Sequence, residues 1–194
     1  MAITTEAIKE LRDATGVSIM QCKKALEEAE GDMEKAKVIL QKYSKQAADK
    51  KADRELGAGT VASYIHQGGN VGVIVELMCE TDYVAKNEQF QTLARDIAMH
   101  VAALAPQFLK KSDIKEEDMA AAKEVFAEET EGKPEELKEK ILAGKLDAYL
   151  AEKTLLDQPF IKDPSKTIQI MLDEAVQKLG EKVEITRFTR YSVN

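Results

Sequence analysis

The chain has 194 residues, 44% of them hydrophobic and 32% charged, with a formal net charge of −7. That length and balance suit a soluble protein with one real core and a small accessory domain. The acidic charge disfavours direct nucleic-acid binding, which needs basic patches to displace counterions. No apolar run reaches the ~18 residues of a membrane helix. Glu6, Lys9 and Glu10 interrupt any signal-peptide pattern, so the chain reads as cytoplasmic with no membrane partner. Cys22 and Cys79 lie far apart and form no CxxC. They read as reduced thiols, with an intermolecular disulfide left open.

Three short helices are predicted first. Ile8 and Leu11 are spaced for one helix face, and the pattern stops before Gly16. Ser18 and Gln21 form a capping-box pair that opens a second helix through Ala25, Leu26 and Ala29. Gly31-Asp32 supplies a stop and at once an N-cap, and Met33, Ala36, Val38, Ile39 and Leu40 continue at helical spacing. Residues 42–56 alternate the two signs of charge and fit a solvated helical linker. The domain reading is a three-helix domain at 1–45, a linker at 46–57 and a core domain at 58–194.

A β-hairpin follows. Thr60, Val61, Tyr64 and Ile65 enrich its first strand, Gln67-Gly68-Gly69-Asn70 supplies the turn, and Val71, Val73, Val75 and Leu77 alternate on the return. Thr81-Asp82-Tyr83-Val84 then separates this strand from a helix starting near Asn87. A strand cannot run into a helix without a turn, which puts Asp82 and Tyr83 at an exposed corner. Local pattern alone also suits the opposite arrangement, with Asp82 as helix N-cap and the ring folded back on the core.

The next helix carries Phe90, Leu93, Ala94, Ile97, Val101 and Leu104 on one face and ends at Pro106. Beyond Ser112 an acidic helical stretch passes Val125 and Phe126 up to Gly132. Pro134 is placed as a first-turn proline of a helix through Leu137, Ile141, Leu146 and Leu150, with Gly144 as a candidate break. Residues 155–163 surround Pro159, with Pro164 just beyond, and are expected to be a loop. A last helix spans Ile168 to Leu179 and stops at Gly180, and Val183 to Tyr191 reads as a final strand. The fold class is α+β: a helical N-terminal domain, then a small antiparallel sheet packed with helices.

Little points to an enzyme. The chain has two histidines, His66 and His100, and lacks HExxH, GxSxG and GxxxxGK[ST] patterns. Gly57 to Ala62 satisfies a loose GxGxxA pattern. A dinucleotide loop must follow a strand and open a helix, however, whereas this one follows a charged helix and opens a strand. Turn glycines are the better reading. His66 and His100 read as structural or surface residues, and Cys79 as a small buried hydrophobe.

The segment Glu76 to Phe90, with Thr81-Asp82-Tyr83-Val84 at its centre, resembles the central signature of the elongation factor Ts family, where phenylalanine is usual in place of Tyr83. Leu11 to Gly16, Cys22 to Leu26 with Gly31-Asp32, Gly132-Lys133-Pro134, Leu155 to Asp163 and Arg187 to Tyr191 fall in the family's order. Val17-Ser18-Ile19-Met20 stands where the family more often has a second glycine and paired methionines. The resemblance implies a guanine-nucleotide exchange factor for elongation factor Tu, binding its GDP-bound and nucleotide-free forms with no cofactor of its own. It implies a three-helix domain of the ubiquitin-associated type resting on Tu, with Leu11, Arg12, Thr15, Gly16 and Lys23 as contacts. It further implies that Thr81, Asp82, Tyr83 and Val84 form the segment that disturbs the Mg²⁺ site of Tu. Longer members of the family pair two core subdomains; this chain has room for one, so a homodimer is expected. The alternative is a plain adaptor that binds a protein through its three helices.

Overall fold

Each of the first three helices begins and ends on residues suited to the task. In the computed structural model, which describes residues 3–128 and 134–193, helix α1 spans Thr5–Thr15. Thr4 accepts the Ala7 N–H, and Gly16 (φ 70) returns its own N–H to the Arg12 carbonyl at 2.7 Å. Helix α2 (Ile19–Glu28) is capped by Ser18, which accepts the Gln21 N–H at 3.4 Å and donates its hydroxyl to Gln21 Oε1 at 3.1 Å. Asp32 accepts the Lys35 N–H at 3.0 Å to open α3, Met33–Asp49. Leu11, Cys22, Ala25, Leu26, Ala36 and Leu40 are buried together between these helices.

Strands β1 (Ala58–Ile65) and β2 (Val71–Cys79) form the predicted hairpin. The His66 N–H closes it on the Val71 carbonyl at 2.9 Å. A glycine near the start of β1 is explained by proximity: a Cβ at Gly59 would stand 2.5 Å from the Leu77 carbonyl oxygen. Val73, Val75, Leu77 and Cys79 are all buried, in the alternation that one covered face requires. After β2 come a four-residue helix α4 (Asp82–Ala85) and the long α5 (Glu88–Leu104). Phe90, Ala94, Ile97, Ala98 and Val101 of α5 are buried. Leu104, expected on that face, is 43% exposed in the last turn, where the chain leaves the helix through Ala105 at φ 47.

Helices α6 (Glu116–Glu128) and α7 (Glu135–Lys153) pack on each other, with Phe126 and Tyr149 edge to face at 5.8 Å. The predicted helix stop at Gly132, with Lys133, lies outside the described residues. Pro134 sits one position before α7, its carbonyl accepting the Leu137 and Lys138 N–H groups, and Gly144 interrupts nothing. Residues 155–163 are more ordered than a loop. A 3₁₀ turn at Leu155–Asp157 leads into a small antiparallel pair, β3 (Pro159–Phe160) with β4 (Asp163–Thr167). Helix α8 spans Ile168–Leu179 and stops at Gly180 (φ 77), and β5 spans Val183–Ser192. The sheet order is β1-β2-β5, so β5 returns beside the middle strand. The fold class is α+β, as predicted.

The chain divides into two units: Met1–Ala62 with Glu76–Ala94 and Gln169–Thr186, and Ser63–Val75 with Arg95–Ile168 and Arg187–Asn194. In the first, the Ser44 hydroxyl of α3 meets the Gln177 side-chain amide of α8 at 2.5 Å, tying the N-terminal helices to the last one. In the second, His100 is buried and paired with Gln158 at 2.9 Å. Among the described residues no helix is long and apolar enough to cross a membrane.

Candidate functional site

A helix of four residues has no stability of its own, since nucleation fixes more torsions than its hydrogen bonds repay. Helix α4 is held from outside instead. Val84 and Ala85 are buried, 3% and 7% exposed, and anchor its inner side. At its C-terminal end the Gln91 side-chain amide donates to the Ala85 carbonyl at 2.6 Å, and the same side chain accepts the Thr60 hydroxyl at 3.2 Å. At its start Thr81 occupies the N-cap position but makes no side-chain cap bond. Its hydroxyl donates instead to Glu181 Oε1 at 2.5 Å, and its N–H to Glu181 Oε2 at 2.9 Å.

The outward side of this corner is bare. Tyr83 is 83% exposed, more than any other large hydrophobic residue among the described residues. Asp82 lies beside it, exposed, with its carboxylate 3.5 Å from Lys86 Nζ, an i,i+4 pair fully open to water and worth little. Of the two arrangements open from sequence, the ring folded back on the core is not the one found: Thr81 takes the N-cap position, Asp82 the first helical one, and the ring points outward. Val84 serves by burial. Within the segment Thr81, Asp82 and Tyr83 are exposed, but the Thr81 N–H and hydroxyl are taken by Glu181, which leaves Asp82 and Tyr83 free to face a partner.

Electrostatics around the corner follow from the same carboxylates. The Lys182 N–H donates to Glu80 Oε1 at 2.6 Å and holds that carboxyl below the usual carboxylate range, with Arg54 adding a bond at 3.2 Å. Burial, reinforced by the charge of Glu181, pushes the Cys79 thiol up, so it stays protonated and donates to the Thr81 carbonyl at 3.3 Å. Cys79 is thus a buried packing residue, as its sequence context predicts, and it also tethers Thr81. Both cysteines are buried and free.

The N-terminal candidates divide differently from the sequence expectation. Leu11 is fully buried and has no surface to offer a partner; its helix position puts it in the heart of the three-helix core. Thr15 is half-buried, its hydroxyl donating to the Leu11 carbonyl at 2.6 Å. Gly16 is exposed at a left-handed cap, and Arg12 and Lys23 are exposed beside Asp13 and Glu27. Ile19 and Met20, passed over as contact residues, are 58% and 80% exposed at the start of α2. The signal was available: two apolar residues directly after an N-cap have no earlier turn to cover them. Glu181 was also missed, because nothing local in Gly180-Glu181-Lys182 indicates a partner a hundred residues back.

Comparison with known proteins gives the family. The family profile described as Elongation factor TS matches residues 49–194. Over 193 residues the chain is 47% identical to Elongation factor Ts of Thermosipho melanesiensis, covering 98% of each chain. It is 47% identical to the protein of the same name from Desulforamulus reducens, covering 98% of this chain and 89% of that one. It is likewise 47% identical to the Geobacter metallireducens protein over 196 aligned positions, covering 100% and 90%. Identity at that level along nearly the whole length leaves one assignment: the chain belongs to the elongation factor Ts family of translation elongation factors.

Proposed function

We propose that this chain is the guanine-nucleotide exchange factor for elongation factor Tu, acting in the cytoplasm during translation elongation. The observation that carries the reading is Tyr83, a large ring left 83% exposed on a corner whose backbone is tied at both ends. A monomer gains nothing by displaying such a ring, whereas a partner that buries it meets a side chain whose backbone is already ordered. Inserted beside the nucleotide site of Tu, the ring displaces helices, and Asp82 brings a negative charge towards the metal region. Mg²⁺ tolerates little departure from octahedral geometry and leans on the nucleotide phosphates, so a small shift loosens both ligands. Linkage requires that factor and nucleotide weaken each other equally. Lowering the GDP exit barrier by about 4 kcal/mol speeds release roughly a thousandfold. No covalent bond is made or broken, so the activity is that of a binding protein without a cofactor of its own.

Residues 1–45 anchor the complex in this reading, with Arg12, Thr15, Gly16 and Lys23 bordering the exposed Ile19–Met20 pair. The working form is a homodimer carrying two copies of Tu. Val61 and Ile65 of β1, with exposed Ser63 between them, are 66% and 65% exposed, and these apolar side chains suit contact with a second copy.

A second reading, the plain adaptor, draws on an open groove of about 620 Å³ between the end of α2 and α3, lined by Val38, Ile39, Glu28, Glu30 and Glu34. The two readings part in one assay. Elongation factor Tu loaded with fluorescent GDP is chased with excess unlabelled nucleotide, with and without the chain. An exchange factor accelerates the decay in proportion to its concentration until saturation; an adaptor leaves the rate unchanged.

A further inference from the structure

The exposed corner is set by a carboxylate far away in sequence. Glu181 lies between Gly180, which ends α8 at φ 77, and β5. Its Oε2 accepts the Glu80 N–H at 3.1 Å and the Thr81 N–H at 2.9 Å, while Oε1 accepts the Thr81 hydroxyl at 2.5 Å. The tie is reciprocal, because Glu80 Oε1 accepts the Lys182 N–H at 2.6 Å and Glu80 also takes Arg54 at 3.2 Å. Two adjacent backbone positions on one segment thus bond the carboxylate of the other, and the converse holds one residue along.

This clamp fixes the two peptide planes that lead into Thr81, one residue before Asp82. The ring itself, 83% exposed, has little packing of its own, so its direction is inherited from the backbone at Thr81. Val84 and Ala85 hold the corner down on the core, but their burial leaves the entry angle of the chain unspecified. The Thr81 hydroxyl is turned towards Glu181 and makes no cap bond to α4. The short helix therefore depends on the clamp at its N-terminal end.

We propose that Glu181 is a positioning residue for nucleotide exchange: its carboxylate locks the Thr81 backbone so that Tyr83 projects in one direction before the partner arrives. This rests on the exchange reading given above. Without the clamp the corner samples several directions, and the fraction poised to insert falls. Anchoring through the N-terminal helices is untouched, so the loss falls on the rate within the complex.

The test uses the full chain with Glu181→Ala and Glu181→Gln. A glutamine retains the geometry: its carbonyl oxygen accepts both N–H groups, and its amide donates to the Thr81 hydroxyl oxygen. GDP release from elongation factor Tu at saturating factor should fall roughly tenfold for Glu181→Ala, with the half-saturating concentration changed by less than about twofold. Glu181→Gln should remain within about threefold of wild type. In a Tyr83→Ala background, Glu181→Ala should add no further loss of release, although it would still lower thermal stability if it did no more than hold the fold. Amide hydrogen exchange at Glu80 and Thr81 should quicken in Glu181→Ala and stay slow in Glu181→Gln, a readout independent of Tu. Wild-type release by a folded Glu181→Ala chain overturns the positioning role alone, as does full additivity with Tyr83→Ala. A wild-type chain without effect on GDP release overturns the exchange reading and this role with it.

Discussion

His100 has no access to water, and its ring is satisfied on both sides. The Ile161 N–H donates to Nδ1 at 3.3 Å, so Nδ1 must carry a lone pair and the ring proton sits on Nε2, which donates to Gln158 Oε1 at 2.9 Å. The Gln158 amide passes the chain on to the Glu152 carbonyl at 2.6 Å. Protonation would set a second N–H against the Ile161 donor in a buried place, and burial accordingly holds the His100 pKa below its ordinary value. The sign follows from linkage. Over the interval from the ordinary value near about 6.5 down to the lowered folded value, the unfolded chain binds more protons, so stability falls as pH falls. Denaturant unfolding should lose at most about 1.4 kcal/mol per pH unit from this group, and His100→Gln should flatten the slope. A slope unchanged by that substitution would contradict the assignment. Sequence marked His100 only as a structural or surface residue, because its partners Gln158 and Ile161 lie sixty residues on. The corner at Tyr83 was legible, since a strand meeting a helix forces a turn, but local pattern left the direction of the ring open and the family resemblance favoured exposure. The burial of Leu11 was overlooked as a bar to contact, although its i,i+3 spacing with Ile8 already placed it in a core.

Elements governed by local chemistry were legible from sequence, as was the β-branched final strand β5, but the short β3–β4 pair was not. The caps Ser18, Asp32, Gly16 and Gly180 act within four residues of themselves and put α1, α2, α3 and α8 where they were expected. The β3–β4 pair depends on Pro159 meeting Thr167 and Phe160 meeting Asp163, and prolines at 159 and 164 disguise it as a loop. Gly144 misled in the other direction. It lies within α7, its Cβ position meets nothing within 4 Å, and the packing on either side carries the helix through. Gly144→Ala should stabilise the protein by about 0.5–1 kcal/mol, since alanine loses less backbone entropy on folding. Chemical denaturation checks this, and a drop in midpoint would mean that the glycine is required for a bend or an approach.

For the whole molecule, the exchange reading joins an anchoring N-terminal segment, a rigidly presented corner and a strand with exposed apolar side chains. The strand predicts association: light scattering at micromolar concentration should give twice the 21.5 kDa chain mass. A monomer mass with full exchange activity would remove the homodimer. The corner is the central claim. Its most direct measurement is the rate of GDP release from elongation factor Tu at saturating factor, compared between wild type, Tyr83→Phe and Tyr83→Ala. The ring can bury some 150–250 Å² on insertion, so its removal should slow release by about ten- to a hundredfold, or about 1.4–2.7 kcal/mol, while Tyr83→Phe stays near wild type. If the Tyr83→Ala chain, folded and bound, releases GDP at the wild-type rate, the corner does not perform the exchange.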